Sequence, residues 1–149
     1  MRENVIISIK GKQVNENGPD EMELVTEGRM ICNDKGVLVS YQETELTGLQ
    51  GTTTMLRING PVVTLLREGT VNSQMVFEEG RRHLSMYETP YGSMSVGINT
   101  RRVKNTISET GGDLEIDYAI EIDNNPVGRN LFRIQVREDN RTRGIRLPQ

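Results

Sequence analysis

The stretch that decides the fold reads DLEIDYAIEID over residues 113–123, and its acidic and apolar side chains alternate. The apolar positions are Leu114, Ile116, Tyr118, Ile120 and Ile122, and the acidic positions are Asp113, Glu115, Asp117, Glu121 and Asp123. Successive side chains of a β-strand point to opposite faces, whereas the period of about 3.6 residues of a helix would mix the two sets. The stretch therefore predicts a β-strand with one buried face and one solvated face.

The same alternation recurs along the rest of the chain. It is clear at residues 5–9, 37–41, 71–77 and 94–98, and turn sequences such as Asn59-Gly60-Pro61 separate the runs. We count about ten strand candidates on these criteria. Because parallel strands need crossovers of about a dozen residues or more, connections this short predict an antiparallel meander.

The composition points to the same class. The chain has one alanine, Ala119, against 38 β-branched residues (13 Val, 12 Ile and 13 Thr). Alanine costs least in a helix, so an α-rich domain would use it freely, whereas β-branched residues favour strands. With no Trp and two Phe, the core must be built mainly from aliphatic side chains.

Closure of the sheet is the expected way to bury one apolar face on each of ten strands. We therefore predict an all-β fold, a single antiparallel up-and-down β-barrel of about ten strands. A two-sheet sandwich is the alternative, since sequence alone seldom determines how a long sheet curls. The length of 149 residues suits one domain, and we place it over residues 1–149, with residues 139–149 as a flexible basic tail.

The last hairpin gives a register that can be tested. A turn centred near Pro126 places Glu115 opposite Arg137, Asp117 opposite Gln135 and Asp123 opposite Arg129. The same register pairs Ile116 with Val136, Tyr118 with Ile134, and Ile120 with Phe132. Exposed cross-strand ion pairs contribute only tenths of a kcal/mol, so these pairs indicate solvated strand faces and carry no information about a ligand.

Three segments carry a resemblance to a known family. They read YETPYGSMSVGINT (residues 87–100), LTGLQGTTT (residues 46–54) and MVFEEG (residues 75–80). In this order they resemble the YwiB-like family of small uncharacterised bacterial proteins, over almost the whole chain. The resemblance implies a lipocalin-like, or calycin-type, β-barrel in the bacterial cytoplasm. The family has no established activity, so the resemblance assigns no catalytic residue.

The targeting and redox features favour the cytoplasm. No stretch approaches the roughly 18 apolar residues of a membrane helix, and the first residues lack a secretory pattern. Cys32 has no second cysteine with which to form an internal disulfide, which fits a reducing compartment. We expect a cytoplasmic protein that does not enter membranes.

Catalytic and metal sites find little support in the sequence. The one histidine, His83, shares its strand face with Ser85 and Tyr87, opposite Leu84 and Met86, which predicts that it faces solvent. No phosphate-binding or dinucleotide motif is present, and the acidic stripe over residues 113–123 forms a line rather than a cage for a cation. We predict no catalytic residue, no metal and no cofactor, and an enzyme ranks third among the functions considered.

The first functional hypothesis uses the barrel interior. A barrel of this size can fill its lumen with side chains or leave a cavity at one mouth for a small ligand. We predict non-catalytic binding of a small apolar or amphipathic molecule there. The candidate binding residues are Tyr41, Thr54, Arg57, Gln74, Tyr87 and Tyr91.

The alternative is an interaction module for RNA or an acidic protein. Residues 129–149 contain six Arg against Glu138 and Asp139, a balance of +4 in a chain whose net charge is −3. Arg141, Arg143 and Arg146 are its candidate contacts. The small number of aromatic residues and the pI near 5.3 count against a nucleic-acid surface, so we expect this function less than the first.

Overall fold

A computed structural model of the chain describes residues 2–15 and 18–139, which form ten β-strands. The strands are β1 (Arg2–Asn15), β2 (Gly18–Asn33), β3 (Gly36–Gln42), β4 (Thr52–Asn59), β5 (Val62–Gly69), β6 (Asn72–Glu78), β7 (Arg82–Thr89), β8 (Gly92–Asn105), β9 (Gly112–Ile122) and β10 (Asn125–Glu138). Within these described ranges, no helix is long and apolar enough to cross a membrane. The all-β prediction is confirmed.

The ten strands form a closed antiparallel barrel. Each strand pairs with its neighbour in sequence, and β1 also pairs with β10 from Val5 opposite Glu138 to Val14 opposite Arg129. This last ladder joins the first strand to the final one, so the barrel prediction is confirmed and the sandwich is excluded. Because the strands run up and down, the loops after β1, β3, β5, β7 and β9 all lie at one end, which we call the loop end.

Inward-facing side chains are stacked in layers, since alternate residues of paired strands lie side by side. One layer joins Val39, Leu56, Leu65 and Met75 across β3 to β6. Nearer the termini, a second layer joins Val37, Ile58, Val63 and Phe77. All but the half-buried Val37 are less than a tenth exposed, so aliphatic side chains fill the lumen at the end opposite the loop end.

The register predicted for the last hairpin is wrong. The turn lies at Asp123 and Asn124, whose φ angles of 50° and 69° belong to a two-residue hairpin turn, and not at Pro126. Arg133 therefore lies opposite Glu115, where Arg137 was expected. Asp and Asn tolerate this left-handed conformation better than most residues, which explains why the chain turns before the proline.

The faces of this hairpin nevertheless match the prediction, because the shift in register is an even number of residues. Ile134 faces Leu114 instead of Tyr118, and Phe132 faces Ile116 instead of Ile120. The predicted pairs of Asp117 with Gln135, Asp123 with Arg129, and Ile116 with Val136 do not occur. Acid–base pairing survives with other partners, since Arg133 contacts Glu115 at 2.7 Å and Arg129 contacts Asp117 at 2.9 Å.

The predicted orientation of β7 is also wrong. Leu84 and Met86 are 62% and 54% exposed, so they lie on the outside of the barrel. Tyr87 packs against the core, and His83 is half-buried, with its Nε2 3.2 Å from Glu78 Oε1. The inner side of β7 is therefore its polar side, which carries His83, Ser85 and Tyr87.

The barrel wall is weakest between β6 and β7. Only two residue pairs, Asn72 with Glu88 and Ser73 with Tyr87, join these strands, whereas β7 and β8 share eight pairs.

The predicted tail begins at Asp139, and this residue is still bonded to β1. Its backbone amide donates a hydrogen bond to the Asn4 carbonyl at 3.2 Å. The rest of that tail, residues 140–149, lies outside the described residues.

The layered core makes a prediction about stability. Ile116 is fully buried on β9, so Ile116→Ala should lower the free energy of unfolding by about 2–5 kcal/mol through lost burial and the cavity that remains. Val25 on β2 is 64% exposed, and Val25→Ala should change it by less than about 0.5 kcal/mol. Urea denaturation measures both, and equal effects would contradict the assignment of inner and outer faces.

Candidate functional site

A row of polar side chains crosses the inside of the barrel, one layer nearer the loop end than Val39 and Leu65. Five strands in succession contribute one residue each through the pairs Tyr41–Thr54, Thr54–Arg67, Arg67–Ser73 and Ser73–Tyr87. We call this set, Tyr41, Thr54, Arg67, Ser73 and Tyr87, the polar rung. It results from the same alternation that places aliphatic residues in the layers beneath it.

Glu43 lies next to the polar rung, at the start of the loop that follows β3. Its side chain is only 2% exposed, and both carboxylate oxygens accept hydrogen bonds. The Thr54 hydroxyl donates to Oε2 at 2.5 Å, and the Thr47 hydroxyl donates to Oε1 at 2.9 Å. A buried carboxylate would be costly without such partners, so the loop folds over Glu43 and satisfies it with Thr47.

Arg67 brings a positive charge into the same region. Its Nε lies 4.0 Å from Glu43 Oε2, which is within ion-pair range but beyond hydrogen-bond length. That Nε is buried and has no hydrogen-bond partner, and the same is true of the Ser73 hydroxyl beside it and of the Thr100 hydroxyl on β8. Buried polar atoms are nearly always hydrogen-bonded in native proteins, so a water molecule or another polar group would complete the bonding of each of these atoms.

Two buried tyrosines, Tyr41 and Tyr118, have raised pKa values. Burial, and after it the Glu43 carboxylate, raises the pKa of Tyr41 above its ordinary value. Burial also raises the pKa of Tyr118, while a hydrogen bond with Asn130 and the positive charge of Arg67 act against that rise. Both phenols therefore remain protonated hydrogen-bond donors at neutral pH.

A separate cavity of about 310 Å³ opens beside Tyr118, and no residue of the polar rung is part of its lining. Its inner wall is formed by Gly11, Met22, Tyr118, Asn130 and Phe132, from strands β1, β2, β9 and β10. The Tyr118 ring packs across the lumen against Phe77, with centroids 4.8 Å apart. The cavity thus has an apolar wall and a polar corner, a combination typical of small-molecule sites.

Two larger depressions lie on the outer side of β1 and β2, with volumes of about 410 and 590 Å³. Outward-facing side chains such as Asn4, Arg29 and Gln42 supply most of the first, although Tyr41 reaches its floor. Both are lined mainly by outward-facing side chains, whereas the cavity beside Tyr118 is lined by the inward-facing Tyr118, Asn130 and Phe132. The cavity beside Tyr118 is therefore the better candidate site.

The candidate binding residues divide by the face on which they lie. Tyr41, Thr54 and Tyr87 are brought together on the polar rung. Arg57 and Gln74 are exposed on the outside of β4 and β6, and Tyr91 is 99% exposed in the turn after β7. The structure places these three away from the lumen.

Sequence reasoning missed Glu43, Arg67 and Ser73. A signal for Arg67 was present, since Val63 and Leu65 precede it at alternate positions and Arg67 continues their face. Ser73 likewise shares the face of Val71 and Met75. Glu43 lies beyond the end of β3, and no pattern in the sequence indicates that the following loop would bury it.

The arginines of the alternative hypothesis lie largely outside this site. Arg129 and Arg133 are engaged by Asp117 and Glu115 on the outer face, which reduces the positive charge that β10 offers to a partner. Arg141, Arg143 and Arg146 are outside the described residues. Among the residues that the structure describes, no group of three or more His, Cys, Asp or Glu side chains could hold a metal ion.

Comparisons with known proteins agree with the fold. A family model described as a domain of unknown function, DUF1934, matches residues 7–134. The crystal structure of the ywiB protein from Bacillus subtilis matches with a TM-score of 0.79 at 17% sequence identity, over 93% of each chain. No curated protein matches. At this identity the structural match shows a shared barrel fold.

The hydrogen bond from Thr54 to Glu43 should matter for stability. Thr54→Val keeps the shape of the side chain but leaves Oε2 of the buried carboxylate without its donor, so we expect a loss of about 1–3 kcal/mol in the free energy of unfolding. Thr53→Val, one residue away on the opposite face of β4, should change it by less than about 0.5 kcal/mol. Equal losses in the two variants would contradict the described network.

Alkaline pH should destabilise the protein through its buried tyrosines. The folded state holds the phenolic protons of Tyr41 and Tyr118 at pH values where the unfolded chain releases them, starting near the ordinary pKa of 10.0. Their stabilising contribution is complete below that value and is lost as the pH rises above it. Urea denaturation between about pH 8 and pH 11 should show a falling free energy of unfolding, with a shallower fall in Tyr41→Phe. An unchanged slope in that variant would count against the burial of Tyr41.

Proposed function

The chain belongs to the DUF1934 family, whose description assigns no function, and from the geometry of the cavity we propose that it binds a small amphipathic molecule without catalysing its conversion. The binding place is the cavity beside Tyr118, at the loop end of the barrel. The observation that carries the proposal is the lining of this cavity, which combines the apolar side chains of Met22 and Phe132 with the polar groups of Tyr118 and Asn130. We place this binding in the cytoplasm, since Cys32 is the one cysteine of the chain and cannot form an internal disulfide, which fits a reducing compartment.

The size of the cavity limits the ligand. Aliphatic layers occupy the lumen towards the termini, so no long chain could pass through the barrel. About 310 Å³ accommodates one small molecule, at the lower end of the usual range for ligand pockets. We therefore propose a ligand with a short apolar part beside Met22 and Phe132 and a polar part that points to Tyr118.

The test fills the cavity with a side chain. A Cβ atom at Gly11 would meet only Met22 Cε at 3.9 Å, so Gly11→Leu should fold and occupy the space beside Tyr118. A ligand at 100 times its Kd should raise the free energy of unfolding of the unaltered protein by about 2.7 kcal/mol, and Gly11→Leu should remove that gain.

The control variant is Ser8→Leu, which adds the same side chain to the outer face of β1, away from the cavity. It should keep the full response to ligand. Thermal and urea unfolding with a panel of short-chain amphiphiles measures the response. Failure of every amphiphile to stabilise the unaltered protein, or equal stabilisation of Gly11→Leu, would overturn the proposed function.

A further inference from the structure

We propose that β2 accepts an additional strand along residues 20–26, and that this strand is supplied by residues 140–149 of the same chain. We call residues 20–26 the free edge and residues 140–149 the arginine-rich segment. This contact lies outside the cavity function proposed above and does not depend on it. Its basis is the unequal length of two neighbouring strands, a depression that leads to the free edge, and complementary charge.

The free edge exists because β2 is much longer than β3. The two strands have 16 and seven residues, and they pair only over residues 29–33 of β2. A Cβ atom at Gly28 would collide with the Ser40 carbonyl oxygen, so the backbones approach most closely at Gly28. Within the part of the chain that the structure describes, the free edge pairs with β1 on one side and makes no backbone hydrogen bond on the other. Such an edge offers N–H and C=O groups to an added strand.

The side chains of the free edge include exposed apolar groups. Met22 and Val25 are 45% and 64% exposed, and Leu24 is only half-buried against the core. Met22 and Leu24 lie on the inner face of β2, since they pair with the inward-facing Gly11 and Ile9. Native proteins usually cover or interrupt an edge of this kind. A strand with apolar residues at alternate positions would bury the inner side of this one.

A depression leads from the end of β10 to the free edge. It has a volume of about 410 Å³, and its lining runs from Asp139 past Asn4 and Arg29 to Gln42, on the far side of β2. The arginine-rich segment follows Asp139 and therefore starts at one end of this path. Three strand spacings of about 4.8 Å make a crossing of roughly 14 Å, whereas ten extended residues reach roughly 33 Å. More than half of the segment remains to pair with β2.

The sequence of the arginine-rich segment has the pattern of a strand that fits this edge. It reads NRTRGIRLPQ, in which Ile145 and Leu147 flank Arg146. Because β10 ends opposite the loop end, a segment that runs from there towards the loop end is antiparallel to β2. Alternation then allows Ile145 and Leu147 to lie on the inner face with Leu24, while Arg146 lies on the outer face with Glu23.

Charge favours the arginine-rich segment over a second free edge. The free edge carries Asp20, Glu21 and Glu23 and has no basic residue. On β1, Lys10 contacts Glu23 at 3.3 Å and Lys12 lies opposite Glu21, so two lysines against three acids leave a net charge of −1. The arginine-rich segment has three arginines and no acid. The free edge of another copy would instead bring three more acids to this place.

Hydrogen exchange measures whether the free edge is covered. In a chain that ends at Asp139, amides within residues 20–26 should exchange at least about tenfold faster than in the full chain, because the hydrogen bonds to the added strand are lost. Residues 113–121 of β9 have a strand on each side and should exchange equally in both chains. Equal exchange of residues 20–26 in the two chains would overturn the proposal.

Substitution tests the same contact without shortening the chain. Ile145→Asp with Leu147→Asp should speed exchange at the free edge as removal of the segment does, because two carboxylates beside Leu24 would lose hydration. Ile145→Val with Leu147→Ile is the matched control, and it should keep the slow exchange of the unaltered chain. If the two double variants exchange equally at the free edge, the proposed placement of the apolar residues is wrong.

A disulfide identifies the chain that supplies the strand. In a Cys32→Ser background, Arg146→Cys combined with Glu23→Cys or Val25→Cys should give a disulfide within one chain, since paired residues on one face come within bonding distance. Arg146→Cys with Leu84→Cys is the control, because Leu84 is exposed on β7, across the ring of ten strands from β2. Equal bonding in this control would overturn docking at β2. A disulfide-linked dimer would overturn docking within one chain and assign the free edge to a second copy.

Discussion

The ladder between β1 and β10 is the interaction on which the rest of the structure depends. It converts a ten-stranded meander into a closed surface, so every inward side chain faces other side chains instead of water. A sheet that remained open would expose two edges and half of its apolar face. Closure also explains the layers of the core, because paired strands bring residues such as Leu56 and Leu65 to the same height.

Closure also makes the burial of charged groups at and beside the polar rung energetically unfavourable. Arg67 and Glu43 lose most of their hydration inside the barrel, and an ion pair at 4.0 Å recovers only part of that loss. Apolar residues of similar volume at these positions would give an equally stable or more stable barrel. Local choices that oppose the global pattern are most often found where a protein binds or acts. The polar rung is such a local choice, whereas the aliphatic layers beneath it follow the global pattern.

Most of the fold could be predicted from the sequence because strand periodicity is a local property. The alternation over residues 113–123 and the short turns predict about ten antiparallel strands. Burial of a single face favours a barrel, but only the pairing of β1 with β10 excludes a sandwich. The register of the strands could not be predicted in this way, because it depends on which turn residues adopt positive φ angles. Asp123-Asn124 and Asn125-Pro126 both suit a turn, and only the backbone conformation distinguishes them.

The errors at β7 and Arg67 have one physical cause. Polarity was used to decide which face of a strand is buried, and this rule fails where the interior itself is polar. On β7 the apolar Leu84 and Met86 point outward, because Ser85 and Tyr87 share the inner face on which the polar rung lies. Alternation along the strand predicts the buried face more reliably than polarity does. Val63 and Leu65 are buried, so Arg67, two residues further on, lies on the same inner face despite its charge. A buried arginine can therefore be recognised in a sequence from the apolar residues two and four positions before it, even though its own charge suggests an exposed face.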